Sequence, residues 1–107
     1  MIVEIRTCKA KRGSRPYVLE MIRSRMFAEL KRIGGKCGGP WASTMDDQTI
    51  VWLRGFPDEE QRQIMSNRFY GGAFWEEEMA DLIQPNIDGL NVVVVEMDEN
   101  SVKWDEG

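Results

Sequence analysis

Residues 48–87 read QTIVWLRGFPDEEQRQIMSNRFYGGAFWEEEMADLIQPNI, and the fold follows from this stretch. Ile50, Trp52 and Arg54 alternate with Val51, Leu53 and Gly55, a period of two that predicts a strand with unlike faces. One face is aliphatic; the other carries a tryptophan and an arginine. Gly55-Phe56-Pro57-Asp58 closes the strand, because Pro57 has no N–H for a ladder. Asp58 is placed to cap a helix, with Gln61 reaching back from its third position. Gly71 and Gly72 break that helix after Tyr70, and an aromatic-loaded second helix opens with Phe74 and Trp75.

Upstream, Ile2 to Ala10 predicts a first strand, with Val3, Ile5 and Thr7 on one face and Ile2, Glu4, Arg6 and Cys8 on the other. A helix follows, with Ser14 as its cap and Pro16 in its first turn, where the missing N–H costs nothing. Leu19, Ile22, Met26, Leu30 and Ile33 recur at helical spacing as one apolar stripe, and Gly34-Gly35 ends it. Lys36 to Thr44, interrupted by Gly38, Gly39 and Pro40, predicts an edge or bulged second strand, and Met45-Asp46-Asp47 turns it antiparallel into the third. After Pro85 and Gly89, the valine-rich run from Leu90 to Met97 predicts a central strand buried on both faces.

The order βαββααβ implies an α+β fold, a four-stranded antiparallel sheet with its helices on one face. At 107 residues the chain is one domain, expected over 1–98, followed by an acidic tail, 99–107, that is mobile or lies over a neighbour. The sheet face away from the helices is expected to carry Ile2, Glu4, Arg6, Trp41, Trp52, Arg54 and Glu96. Such a face is too aromatic for water and too charged for an ordinary core, and a second copy packed sheet to sheet would cover it. A homodimer is therefore expected.

MIVEIRT at the start, TIVWLRGFPDEEQR in the centre, FYGGAFWEEE after it and VVVVE near the end together resemble the NIPSNAP family, small proteins of the dimeric α/β-barrel superfamily. The resemblance covers nearly the whole chain, and the pairing of VWLRGFPD with FYGG and a following tryptophan is its most specific part. It implies a ferredoxin-like βαββαβ unit that pairs as a dimeric α/β barrel. It implies an architecture and only a faint function, since some relatives in the superfamily are monooxygenases and cyclases.

Composition removes many functions. The net charge of −4 argues against general nucleic-acid binding, and the basic cluster of Lys9, Lys11, Arg12 and Arg15 falls at a turn. No run is apolar enough for a membrane span, and a strand starting at Ile2 leaves no signal-peptide pattern, so a cytoplasmic protein is expected. The absence of histidine removes Ser-His and Cys-His couples and histidine-held metals, and no cofactor is expected. Cys8 and Cys37, on separate strands, read as reduced thiols, and Met21, Met26, Met65 and Met79 as core filling.

The candidate ligand pocket is drawn from Glu4, Arg6, Trp52, Arg54 and Glu96 on the strands and Tyr70, Phe74, Trp75 and Glu78 beyond the glycine break. An arginine would hold a carboxylate or enolate, and a tryptophan would stack on a planar ligand. The same residue types suit a buried structural ion-pair network, and Phe69, Tyr70, Phe74 and Trp75 suit core or dimer contacts; the sequence leaves both open. Of the run Glu76 to Glu78, only Glu78, one turn beyond Phe74, is placed to act as a base. Two functions fit: a small homodimer binding an anionic or aromatic molecule or a protein partner, and, as the resemblance to the dimeric α/β-barrel superfamily implies, a cofactor-independent monooxygenase, cyclase or isomerase acting on an aromatic or polyketide-like substrate. The enzyme needs a carboxylate with a raised pKa, from Glu4, Glu78 or Glu96.

Overall fold

The computed structural model describes residues 1–106. Its strands are β1 (Ile2–Ala10), β2 (Lys36–Ala42), β3 (Thr49–Phe56) and β4 (Ile87–Glu96), all antiparallel in the order β2-β3-β1-β4. Between β1 and β2 the chain is helical through α1 (Arg15–Met21), a π-helical turn (Ile22–Met26) and α2 (Phe27–Arg32). Between β3 and β4 it runs through α3 (Glu59–Tyr70), a second π-helical stretch (Phe74–Met79) and α4 (Ala80–Ile83). This is the expected α+β, ferredoxin-like sheet with helices on one face.

Local chemistry sets the ends of these elements. The Asp58 carboxylate accepts the Gln61 backbone N–H at 2.8 Å, the cap expected for α3. Ser14 sits at the N-cap of α1 but does not cap it through its side chain; its hydroxyl turns instead to the Asn86 side chain, 3.3 Å away. Gly34 ends α2 at φ +106°, a conformation closed to most side chains. The break after α3 has a different cause: a Cβ on Gly71 or Gly72 would lie 2.8 Å from the Asn67 or Arg68 carbonyl oxygen. In the β2–β3 turn, Asp46 accepts the Gln48 and Thr49 N–H groups, and Arg15 donates to the carbonyls of Ser43 and Asp46. The basic cluster thus contributes a clamp on the hairpin.

Which face the helices cover is the reverse of the expectation. Cys8, Ala10, Ile50, Trp52 and Phe56 are packed under Val18, Ile22, Met26, Phe27, Leu30, Met65, Phe69 and Met79, and Glu4, Arg6 and Arg54 share that side. The uncovered face is the aliphatic one, with Ile5 paired to Leu53 and Val93, and Thr7 to Val51. Trp41 pairs with Val51 and belongs to this open face, not beside Trp52. Alternation separates two faces without saying which is covered; here the helices supply the partners that let the charged face lie inside.

The position of β4 also differs. It is an edge strand, hydrogen-bonded to β1 alone, and Leu90, Val92, Val93 and Val94 are exposed. Its unbroken apolar run imitates a central strand because both of its faces border something apolar: even residues look to the helix side, odd ones to the open face. The acidic segment after β4 lies on its own sheet. A Cβ on Gly55 would meet Trp104 Cη2 at 2.8 Å, the Asp105 N–H donates to the Cys37 carbonyl at 2.7 Å, and Lys31 pairs with Asp105. Gly107 lies outside the described residues.

Candidate functional site

β1 and β3 are hydrogen-bonded with Glu4 opposite Arg54 and Arg6 opposite Trp52, so four polar or aromatic residues form one patch. All four face the helices. The patch is drawn together by pairing rather than by sequence proximity. Glu4, Arg6 and Arg54 are 1%, 7% and 2% exposed. Burial of that depth demands partners.

Glu4 finds two. Its Oε1 accepts from Arg6 Nε and its Oε2 from Arg62 Nη1, each at 2.9 Å. Burial pushes the Glu4 carboxyl up, but the hydrogen bonds of Arg6 and Arg62 and the charges of Arg6 and Arg54 outweigh it, and the group sits below the usual glutamate range. Arg62 in turn forks onto Glu59, at 2.8 and 2.6 Å. Arg54 has a poorer partner. Its Nη1 donates to the Tyr70 hydroxyl at 2.8 Å, and its guanidinium lies 4.6 Å from the Phe69 ring centre and 5.4 Å from that of Tyr70. Desolvation pulls its pKa down. Among the described residues no carboxylate comes within ion-pair distance of it. The indole N–H of Trp52, two residues away on the same face of β3, is buried and donates to nothing described.

Arg6, Arg54 and Trp52 border a cleft of about 400 Å³ between sheet and helices, and Glu4 lies outside its lining. Arg6, Arg54, Trp52, Tyr70 and Trp75 form its polar and aromatic side; Cys8, Val18, Ile22, Met26 and Ile83 form its apolar side. Leu90 and Val92 on the edge strand form its lip. Trp75 is held by an edge contact with Tyr70, ring centres 5.1 Å apart. Phe74 packs on Phe69, 5.7 Å between centres, and is not part of the lining. Glu78 is exposed and bridges to Arg25 at 3.0 Å, and Glu96 is exposed at the far end of β4; neither reaches the cleft.

Arg62 and Cys8 were missed as site residues. Arg62 reaches Glu4 across 58 positions of sequence, a contact no local spacing signals. Burial raises the Cys8 thiol to about 11, which leaves it an inert lining group.

No protein-family model matches the sequence, and no curated protein matches it significantly. Solved structures do resemble it. A NIPSNAP domain protein from Burkholderia xenovorans superposes with a TM-score of 0.78 at 18% identity, over 92% of this chain and 96% of that one. A NIPSNAP-family protein of unknown function from Agrobacterium tumefaciens gives 0.77 at 22% identity, over 89% and 86%. The chain has the NIPSNAP fold. The likeness extends more weakly to an antibiotic biosynthesis monooxygenase, with a TM-score of 0.65 at 16% identity over 92% and 99% of the two chains. In this NIPSNAP fold the cleft lies within one chain, walled by its own sheet and helices. Among the described residues no helix is long and apolar enough to cross a membrane.

Proposed function

We propose that this NIPSNAP-like protein binds a small organic anion in the cleft between its sheet and helices. One observation carries the reading: among the described residues the buried charged groups are two arginines, Arg6 and Arg54, and one carboxylate, Glu4, which Arg6 and Arg62 already share. Arg54 is left with a neutral hydroxyl. A buried cation that feels Glu4 only at a distance, with no carboxylate in contact, is costly, and a ligand carboxylate or enolate reaching it and the free Trp52 N–H would satisfy both groups. Titration calorimetry with organic carboxylates and their neutral amides tests this. The expected result is saturable binding of carboxylates at least tenfold tighter than of the amides; equal affinities would overturn it.

The alternative, a cofactor-independent monooxygenase, cyclase or isomerase, draws support from the likeness to the antibiotic biosynthesis monooxygenase. It needs a basic carboxylate in the cleft, and the chemistry on hand favours binding. Glu4 is held ionised by two guanidiniums, the wrong direction for a general base at neutral pH, while Glu78 and Glu96 stand outside.

The protein also pairs with itself in this reading, through the aliphatic open face of Ile5, Val51, Leu53, Val93 and Val95 rather than the charged face. Val93 is 54% exposed at the middle of that surface, and a second copy is its self-complementary cover. Two free, buried thiols suit a reducing, cytoplasmic setting.

A further inference from the structure

The cleft joins a buried cation to hydrocarbon walls and an apolar lip, and that combination names the class of ligand. The 4%-exposed Trp52, two residues from Arg54 on the same face of β3 and lining the same cleft, has an indole N–H without a described partner. The buried walls around them are hydrocarbon, with Ile22 and Ile83 from the helices, and the lip is formed by the exposed Leu90 and Val92 of β4. One buried cation thus shares the interior with hydrocarbon, and the exposed lip is apolar at Leu90 and Val92 with Gln84 beside it, an arrangement unlike a cleft built for a small hydrophilic anion.

We infer that the ligand is an amphipathic monocarboxylate that enters head first, its carboxylate bridging Arg54 and the Trp52 N–H and its hydrocarbon body running out past Ile22 and Ile83 to Leu90 and Val92. This rests on the anion-binding reading above and adds to it the class and orientation of the ligand. A single charge is specified because Arg6 is already matched by Glu4, so a second ligand carboxylate would enter apolar surroundings with no cation left to receive it. Hydrocarbon surface buried along the exit walls supplies chain-length dependence, at about fourfold in affinity for each methylene taken out of water. Leu90 and Val92 also acquire a purpose on an edge strand that otherwise exposes them.

The test is titration calorimetry on the full chain with straight-chain carboxylates from butanoate to dodecanoate, their primary amides, and hexanedioate against hexanoate. Affinity is expected to climb about fourfold per methylene and level off once the chain fills the cleft. Each amide is expected at least tenfold weaker, and hexanedioate weaker than hexanoate. Leu90→Asp alters an exposed lip residue, so the fold is kept; it is expected to weaken decanoate at least tenfold and leave butanoate within twofold. Val93→Asp, on the opposite face, is expected to change neither. Carboxylate preference with no dependence on chain length overturns the amphipathic, head-first ligand and leaves the anion site standing. Chain-length dependence without carboxylate preference overturns both, as does absence of binding throughout. Loss of decanoate binding in Val93→Asp but not in Leu90→Asp places the ligand on the open face and overturns the inference.

Discussion

Arg54 donates from Nη1 to the Tyr70 hydroxyl across 2.8 Å, and that neutral oxygen is the described hydrogen-bond partner of a guanidinium only 2% exposed. The pair joins β3 to the end of α3, just before the glycine break, so the charge most in need of an anion is fastened where the chain is about to turn.

Tyr70→Phe removes this acceptor while keeping the ring under Arg6 and against Trp75. A hydrogen bond to a charged group contributes about 1.5–3 kcal/mol, so the unliganded protein is expected to lose about that much in urea unfolding. A saturating carboxylate ligand would restore part of the loss by giving Arg54 a better partner. A variant as stable as the parent would show that Arg54 is satisfied some other way.

Glu4→Gln leaves Arg6 buried against a neutral amide and strips Arg62 of its inner contact. Breaking a buried pair from one side costs about 3–5 kcal/mol. The pH dependence follows from the direction of the shift. Glu4 has a folded pKa below its ordinary 4.5, so its contribution is complete above that value and fades as pH falls through the folded one. Glu59, lowered to about 2 by its bonds to Arg62 and Gln63, and Asp46, lowered to about 2 by the Thr49 and Gln48 N–H groups, fade in the same acid window. Urea unfolding between about pH 5 and pH 2 is therefore expected to show falling stability in the parent and a shallower fall in Glu4→Gln. Parallel slopes would deny Glu4 this role.

Much of this was legible beforehand, and the failures share one cause. Every strand, the Asp58 cap, the bulged β2 and the break after Tyr70 came from local signals. So did the grouping of Glu4 and Arg6 with Trp52 and Arg54, which alternation dictates once β1 and β3 are adjacent. What alternation cannot say is which side the helices take, because hydrophobicity pointed to Val3, Ile5, Val51 and Leu53 as the core. The covered side is charged because Arg62 and Tyr70 arrive from α3 to partner it, and such long-range pairing leaves no mark in a local window. The valines of β4 misled for a related reason: they are apolar toward a cleft on one side and an open sheet on the other, not toward a protein interior.

Val93→Asp probes that open sheet. Val93 lies opposite Ile5, away from the helices, and is exposed in the single chain, so a charge there costs the fold less than about 1 kcal/mol. A self-association through this face would bury the aspartate and fail. Sedimentation equilibrium is expected to show a dimer for the parent and a monomer for the variant with an unchanged far-ultraviolet spectrum. A parent that stays monomeric at micromolar concentration would remove the pairing proposal.

The C-terminal segment is secured at Gly55, and two glycine substitutions separate its contribution from general backbone effects. A Cβ at Gly55 would stand 2.8 Å from Trp104 Cη2 and 3.0 Å from Met1 Cε, whereas one at Gly89 meets nothing within 4 Å. Met1 can swing aside, but the indole is rigid and its N–H is tied to the Glu99 carbonyl at 3.0 Å, so Trp104 must lift as a unit. The Asp105 N–H would then lose its bond to the Cys37 carbonyl, and the cover over this end of the open face would loosen. Gly55→Ala is expected to cost about 1–3 kcal/mol, the usual penalty for overpacking, and to speed hydrogen exchange at the Asp105 amide at least tenfold. Gly89→Ala is expected to change stability by less than about 0.5 kcal/mol and leave that amide as it was. Unchanged exchange in Gly55→Ala would mean that Trp104 does not hold the segment down, and the open face would then be larger than the structure draws it.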